Sequence, residues 1–406
     1  MSSIPEEQDS PFESDEENSK APLSLVKSPT KSKAKMDMRY LIRALVKYNA
    51  SDLHIKVGRP PLYRISGKLI PARMEEVTSD MIQSIVFEVM NPRQREVLEH
   101  KRQVDFSFKV KNIGRFRCNV YFQRTGLAAA IRMIPIKVPS LDDLRLPKIL
   151  KDICIKQRGL FLVTGSTGSG KSTTLASMIQ HINENQHVHV LLIEDPIEFI
   201  HKDFKSTITQ REVGADTASF QEALTGGLRQ DPDIIVIGEM RDCDIIQVAL
   251  TAAETGHLVL ATLHTQDAKG AIERIVDVFP GDQQNQVRIQ LASTLVGVVA
   301  QQLVVCKDGK TRVPACEIMI KSPSIEQHIL KNELEKIPDA IAQSGNYYQM
   351  QTMNMSLERL VRAGEISVEE ALLSSPNPDD LRLRLAGVTR EEGYDSSGGD
   401  IPPITR

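Results

Sequence analysis

Apolar residues in the first third of the chain recur first at a helical spacing and then at the alternating spacing of strands. Over residues 38–46 they recur three or four residues apart, which predicts an amphipathic helix. They then fall into short alternating runs separated by turns, which predict strands, with a second helix expected over 79–90 and stopped by Asn91-Pro92. Residues 37–135 are therefore predicted to form a compact α+β domain.

From Gly159 onward the pattern changes to nearly continuous apolar runs that alternate with helical segments. Such runs are typical of parallel strands covered by helices on both faces, so we expect an α/β core. The predicted strands are 160–164, 188–193, 233–237 and 258–263, and the predicted helices are 171–183, 217–229, 243–254 and 267–277. A β-hairpin is expected over 301–306 and 312–319, followed by helices over 323–375.

These changes of pattern divide the chain into six segments. Residues 1–36 are polar and rich in Ser, Pro, Glu and Lys, so we expect a disordered leader that is either simply solvated or a docking tail. The other predicted segments are the α+β domain (37–135), a hinge (136–150), the α/β core (151–322), a helical region (323–387) and a loose tail (388–406). Gly226 and Gly227 fall inside a predicted helix, and nothing in the sequence explains them.

Composition narrows the class of protein. The 406 residues are 41% hydrophobic and 25% charged, which is ordinary for a soluble globular protein of two or three domains. The formal net charge of −3 gives no overall argument for nucleic acid or an anionic membrane as a partner. Five cysteines without a C-x-x-C pair predict reduced thiols. We therefore expect a cytoplasmic protein that meets a membrane only through its partners.

The strongest chemical signal follows the strand predicted over 160–164. There the sequence reads Gly-x-x-x-x-Gly-Lys-Ser and runs into a predicted helix, which is the context of a phosphate-binding loop. Backbone N–H groups of such a loop surround the phosphates, a lysine adds positive charge, and a hydroxyl can coordinate Mg²⁺. The predicted binding residues for ATP are Gly165, Ser166, Thr167, Gly168, Ser169, Gly170, Lys171, Ser172 and Thr173, with Ser172 also a predicted Mg²⁺ ligand.

Acidic residues follow two of the other predicted strands. The strand 188–193 is followed by Glu194, Asp195 and Glu198, and the carboxyl ends of parallel strands are where ligands bind. We expect Glu194 and Asp195 to hold Mg²⁺ through water, and Glu198 to contribute to the chemistry by orienting the attacking water. The strand 233–237 is followed by Glu239, which we predict to polarise the water that attacks the γ-phosphate.

A histidine and a group of arginines complete the predicted site. His264 follows the strand 258–263 at its carboxyl end, so we expect it to sense the γ-phosphate, although a structural role is an open alternative. Arg115, Arg117 and Arg132 lie in the first domain, and they could stabilise the transferred phosphoryl group if that domain closes over the nucleotide.

Together these motifs resemble the type II/IV secretion ATPases, and within them the PilT-like retraction ATPases of type IV pili. The resemblance covers residues 37–375 and includes the Ala-Ser-Asp-Leu-His stretch 50–54, the acidic box 193–199, the stretches 228–233 and 238–242, and the histidine box 253–265. It implies a PAS-like N-terminal domain and a RecA-like core, assembled as a hexameric ring. It also implies Glu239 as catalytic base, Arg117 and Arg132 as the functional arginine pair, and an inner-membrane platform protein as partner.

One departure from the pattern bears on function. PilT-like proteins usually carry a late helix with two arginines associated with retraction, whereas the corresponding stretch here, 323–332, contains no arginine. This leaves open a PilU-like accessory subunit that works with a paralogous retraction ATPase. A pilus assembly or secretion ATPase is a further alternative, but those relatives generally carry a tetracysteine zinc module that this chain lacks. The near-neutral charge disfavours a DNA-translocating ATPase, so no nucleic-acid partner is expected.

Overall fold

A computed structural model describes residues 36–135 and 137–387 of the chain. The predicted leader and tail therefore lie outside the described residues, except for Met36. Contacts within the chain define two units, Met1–Asp105 with Cys118–Arg132, and Phe106–Arg117 with Met133–Arg406. No helix of the described residues is both long and apolar enough to cross a bilayer.

The N-terminal part of the fold is a six-stranded sheet with three helices. The strand order is β3-β2-β1-β6-β5-β4, and β1 pairs antiparallel with both β2 and β6. The elements are α1 (Met38–Lys47), β1 (Asp52–Lys56), β2 (Leu62–Ile65), β3 (Lys68–Pro71), α2 (Ser79–Phe87), α3 (Pro92–Lys101), β4 (Gln103–Val110), β5 (Gly114–Gln123) and β6 (Gly126–Ile134).

Helix α3 was missed because Asn91-Pro92 was interpreted only as a stop. The Asn91 side chain accepts a hydrogen bond from the Gln94 amide at 2.8 Å, and the Gln94 side chain accepts one from the Asn91 amide at 2.9 Å. This reciprocal cap starts a helix, and proline is well tolerated in the first turn because its missing N–H would have no partner there. The same two residues therefore begin α3.

The second unit contains a seven-stranded sheet between helices. Its strand elements and the helices that connect them are α4 (Ile149–Cys154), β7 (Gly159–Thr164), α5 (Lys171–Asn185), β8 (His189–Glu194), β9 (Thr207–Glu212), α6 (Phe220–Gly227), β10 (Ile234–Ile237), α7 (Cys243–Glu254), β11 (Leu258–Leu263), α8 (Ala268–Asp277), α9 (Gln284–Thr294), β12 (Leu295–Val305) and β13 (Arg312–Ile320). The helices that follow are α10 (Pro323–Leu330), α11 (Ile337–Gln343), α12 (Gly345–Tyr348), α13 (Met353–Arg362), α14 (Val368–Ser374) and α15 (Pro378–Leu385), with a 3-10 turn at Leu334–Lys336.

The sheet of this unit is parallel except at one edge. Its order is β13-β12-β7-β11-β10-β8-β9, and only β13 runs antiparallel to its neighbour. In register, Leu162 of β7 pairs with Ala261 of β11 and with Val298 of β12. All three side chains are buried, because helices cover both faces of the central strands. The predicted α/β fold class with its parallel sheet is confirmed.

The segment predicted as a hinge, 136–150, is partly built into this core. Leu141, Leu146 and Leu150 are buried in the same apolar cluster as Phe161 of β7. The predicted end of the first domain at residue 135 also differs from the observed division, since the tip of the β4–β5 hairpin (Phe106–Arg117) belongs to the second unit. Hydrogen bonds from that hairpin to Glu212, described below, give the physical reason.

The structure explains one of the two glycines in α6. A Cβ on Gly227 would lie 2.3 Å from Cδ2 of Leu191, a buried side chain of β8, so the helix packs directly on the strand. A Cβ on the exposed Gly226 would meet nothing within 4 Å, and nothing in the structure explains that glycine.

The pair offers a matched test of this packing. We expect Gly227→Ala to lower the free energy of unfolding by about 1–3 kcal/mol, because the buried leucine must shift. Gly226→Ala should raise it by up to about 1 kcal/mol, since alanine is the better helix former. Urea denaturation of both variants measures the difference, and equal stability of the two would contradict the close contact with Leu191.

Candidate active site

The loop between β7 and α5 is a tight turn that only glycine permits at its key positions. Gly165, Gly168 and Gly170 have φ angles of 145°, 84° and 92°, in the region that glycine alone enters without strain. A Cβ on Gly165 would also lie 2.3 Å from the main-chain oxygen of Gln301 on β12. The loop thus passes directly against the neighbouring strand before α5 begins at Lys171.

All nine residues predicted to bind nucleotide lie on this loop or the first turn of α5. The positive end of a helix macrodipole and its unpaired N–H groups favour an anion at this position. Because α5 is 15 residues long, its N-terminus carries the full effect of the dipole. The backbone turn, the helix and the adjacent lysine together fit the phosphates of a nucleotide.

Lys171 is held at the centre of the loop. Its Nζ donates hydrogen bonds to the main-chain oxygens of Gly165 at 2.8 Å and Ser166 at 3.1 Å. Burial lowers the pKa of the ammonium group, and the carboxylates of Glu239 and Glu198 oppose that shift. The lysine is therefore a buried cation within electrostatic range of both predicted catalytic acids.

Gln301 is a residue of this site that the sequence analysis did not identify. Its buried Nε2 donates to the main-chain oxygen of Ser169 at 2.7 Å, and its Oε1 accepts a hydrogen bond from the Thr174 hydroxyl at 2.7 Å. One side chain on β12 thus ties the phosphate loop to the first turns of α5. The sequence signal was a pair of glutamines, Gln301 and Gln302, in an otherwise apolar strand that was predicted as part of a hairpin.

Glu239, His264 and Lys171 come together at the carboxyl ends of the strands. Oε1 of Glu239 lies 3.1 Å from Nε2 of His264, and Nδ1 of His264 lies 3.5 Å from Nζ of Lys171. Oε2 of Glu239 pairs with Nη2 of Arg241 at 2.8 Å. Partial burial works to raise the pKa of Glu239, but Arg241 and His264 outweigh it, so the pKa is lowered and the group is a carboxylate at neutral pH.

The acidic box, residues 193–199 at the end of β8, contains one enclosed acid and two exposed acids. Glu194 accepts a hydrogen bond from Nε2 of Gln210 at 2.9 Å, and enclosure of its carboxyl raises its pKa to about 7. Asp195 and Glu198 are exposed. Asp195 acts electrostatically on Arg241, as Glu198 does on Lys171, which places both acids beside the loop and the base.

The predicted magnesium residues do not form a site by themselves. Among residues 36–135 and 137–387, no group of three or more His, Cys, Asp or Glu side chains could hold a metal ion. Ser172 lies in the first turn of α5, whereas Glu194 is bonded to Gln210. A metal ion here would therefore take further ligands from the nucleotide and from water, which is how Mg²⁺ usually binds beside phosphates.

Arg132 is positioned by the Ala-Ser-Asp-Leu-His stretch. Its Nε lies 2.7 Å from Oδ1 of Asp52, the residue opposite it on β1, and Arg64 approaches the other oxygen at 3.5 Å. Burial acts to raise the pKa of Asp52, but the hydrogen bonds from Arg132 and Ser51 hold it below its usual value. Arg117 is exposed on β5 between buried Phe116 and Cys118. The roles predicted for both arginines stay predictions.

Glu212 is a second residue that the sequence analysis missed. Its buried carboxylate accepts hydrogen bonds from the Ser107 hydroxyl at 2.7 Å and from Nη2 of Arg115 at 3.1 Å. It also accepts one from the backbone N–H of Ile197 in the acidic box at 3.2 Å. One carboxylate therefore joins the β4–β5 hairpin to the loop that carries Asp195 and Glu198. Glu212 lies on β9, an edge strand too polar to be predicted.

Known proteins resemble the chain over most of its length. Residues 30–378 match the family described as "Type II/IV secretion system protein". The chain belongs to this family. The "Type IV pilus retractation ATPase PilT" of Pseudomonas aeruginosa is 44% identical over 346 residues, which are 85% of this chain and 100% of that protein. The "Type IV pilus ATPase PilU" of the same organism is 40% identical, covering 86% of this chain and 91% of that protein.

A solved structure agrees with the fold. The structure described as "Crystal Structure of the Pilus Retraction Motor PilT and Bound ADP" has a TM-score of 0.80 and 44% identity, and it covers 86% of this chain and 99% of that one. This chain is thus a member of the type II/IV secretion family with an ATPase fold and a nucleotide site. The predicted resemblance is confirmed.

Substitution of two neighbouring glutamines on β12 tests whether Gln301 positions the phosphate loop for nucleotide binding. Gln301→Met removes two buried hydrogen bonds of about 1 kcal/mol each, so we expect ADP affinity to fall by up to about 30-fold. Gln302→Met is the control, because Nε2 of Gln302 donates at 2.8 Å to the main-chain oxygen of Ser374, which is not a residue of the loop. Fluorescent ADP titration measures both. Equal affinities in the two variants would show that Gln301 does not position the loop.

Proposed function

We propose that this chain is an ATP-hydrolysing motor that drives the retraction of type IV pili, and hence twitching motility. The observation that carries the proposal is an intact set of catalytic groups on a chain similar to a retraction ATPase along that protein's whole length. The proposal is supported by the phosphate loop and by the contacts of Glu239 and Lys171 with His264 at the carboxyl ends of the strands.

The residues on the loop bind ATP, and the first turn of α5 holds its metal. The Ser172 hydroxyl would coordinate Mg²⁺ directly, with Glu194 and Asp195 acting through bound water. When bound, Mg²⁺ neutralises charge on the phosphate oxygens. Asp195 is exposed and free to face such water, while the hydrogen bond from Gln210 fixes the direction of the Glu194 carboxyl.

Hydrolysis depends on a base at the end of β10. Glu239 accepts a proton from the attacking water, and Glu198 orients that water. His264 senses the γ-phosphate, since its ring links Glu239 to Lys171. Arg117 and Arg132 stabilise the charge that develops on the transferred phosphoryl group. Arg132 does so after the first unit closes, whereas Arg117 already belongs to the second unit. In this proposal Asp52 keeps Arg132 oriented until that closure.

The mechanical step couples this chemistry to a ring. Six copies assemble as a homohexamer at the cytoplasmic face of the inner membrane. A paralogous retraction ATPase is a further candidate partner in the ring. Release of phosphate lets the two domains of each subunit rotate, and that motion turns the platform protein of the pilus. Glu212 and its partners all lie in the second unit, where the carboxylate fixes the hairpin that carries Arg117 to the acidic box.

A PilU-like accessory subunit is the second candidate. The observation that favours it is α10 (Pro323–Leu330), which has no arginine where PilT-like proteins usually carry two. The 40% identity to PilU covers nearly all of that protein. An accessory subunit would need a partner ATPase to retract pili, although it could hydrolyse ATP.

The role of Glu239 has a direct biochemical test. We expect Glu239→Gln to bind ATP but to hydrolyse it at least ~10²-fold more slowly, which is the usual contribution of a positioned base. Glu222→Gln, an exposed acid in the first turn of α6, is the matched control and should keep wild-type turnover. Phosphate release and ATP binding are measured on both variants. Normal turnover in Glu239→Gln would refute the assignment of the base.

The cellular role is tested by deletion of the coding sequence. Surface pili are sheared and counted by electron microscopy, and twitching is scored on agar. Many pili together with lost twitching would support a retraction motor. A bald cell would show an assembly motor instead, whereas piliation and motility like those of the parent strain would favour the accessory subunit.

A further inference from the structure

The small net charge of the chain conceals a strong segregation of charge. Residues 37–135 contain 18 Lys and Arg but only 9 Asp and Glu, although the whole chain has a net charge of −3. The first domain is therefore basic, and the remainder of the chain is acidic. This changes the expectation drawn from the overall charge, because a surface responds to the charges it carries locally.

Helix α1 presents a basic face to solvent. Its buried side is formed by Met38, Leu41, Ile42 and Leu45, which leaves the opposite side uncovered. That side consists of five exposed residues at helical spacing, namely Arg39, Tyr40, Arg43, Val46 and Lys47. Tyr40 is 47% exposed and Val46 is 41% exposed, so two large apolar side chains lie among the three cations.

We propose that this face of α1 binds the anionic lipid surface of the inner membrane. Cations on a helix are attracted to anionic headgroups, and an interleaved tyrosine and valine can enter the boundary between headgroups and acyl chains. No helix of the described residues can cross a bilayer, so such a contact is peripheral. The lipid contact would attach the motor to the membrane in addition to its contact with the platform protein.

The stretch 27–35, just before α1, supplies more charge of the same sign, whereas the seven acids among residues 1–36 all lie before residue 18. Lys27, Lys31, Lys33 and Lys35 precede the helix, and Asp37 is the single acid between residues 27 and 47. The Asp37 side chain accepts a hydrogen bond from the Tyr40 amide at 2.8 Å, so it serves as the cap of α1. Seven cations within 21 residues match the diffuse charge of a lipid surface better than the few fixed acids of a protein partner.

The test compares vesicle binding of the full chain and of two charge-matched variants. Vesicles of phosphatidylcholine alone and with about one-third phosphatidylglycerol are sedimented with protein at low and high salt. We expect binding to the anionic vesicles only, with loss at high salt. Arg39→Glu/Arg43→Glu/Lys47→Glu should weaken it at least ~100-fold, since each charge contributes about five-fold.

Two controls make the outcome decisive. Lys56→Glu/Arg59→Glu/Lys68→Glu changes three exposed cations elsewhere in the first domain and alters the net charge equally, so it should retain most of the binding. Tyr40→Ser/Val46→Ser should weaken the binding that persists at intermediate salt. Equal losses of vesicle binding in both triple variants would show that binding depends on net charge and not on the face of α1. No binding of the wild-type chain to anionic vesicles would overturn the proposal, and it is the result expected if the basic face instead binds an acidic protein.

This inference rests on the proposed function in one respect, namely that a pilus motor would meet the inner membrane. Basal ATP hydrolysis without lipid should be the same in the wild type and all three variants, because none of the substituted residues lies in the active site. A failure of vesicle binding with normal hydrolysis would leave the motor assignment intact. Vesicle binding by a chain that proves not to retract pili would leave the lipid contact intact.

Discussion

The close approach of the phosphate loop to β12 is the constraint on which the active site depends. Gly165 passes so near the backbone of Gln301 that a Cβ could not be accommodated, and the Gln301 side chain then holds Ser169 and Thr174. Because β12 also pairs with β7, the loop and both strands beneath it form one rigid support. A preorganised anion site of this kind does not have to be assembled when nucleotide arrives.

The second feature is a series of polar contacts across the ends of three parallel strands. Arg241, Glu239, His264 and Lys171 follow one another at contact distance, with the histidine between base and lysine. Glu212 extends the connection, since it binds both the acidic box and the hairpin that carries Arg117.

Sequence reasoning located the elements that have a strong local signal. The glycine-rich loop, the apolar strands and the acids after β8 and β10 have a fixed order along the chain, and parallel topology brings their carboxyl ends together. Sequence reasoning did not identify Gln301 and Glu212, because each makes hydrogen bonds to residues more than 80 positions away in sequence. Strand β9 was missed because its polar residues lie at a sheet edge, and α3 because a cap was taken as a stop. Gly227 needed the position of Leu191, which no local pattern contains.

The central claim is that hydrolysis by Glu239 powers retraction. Live imaging of labelled pili in a strain whose chromosomal copy carries Glu239→Gln tests it most directly. The account predicts that pili extend normally but that retraction events become rare and slow, with pili accumulating on the surface. Retraction at the parental frequency and speed, with the variant protein present at normal levels, would contradict it.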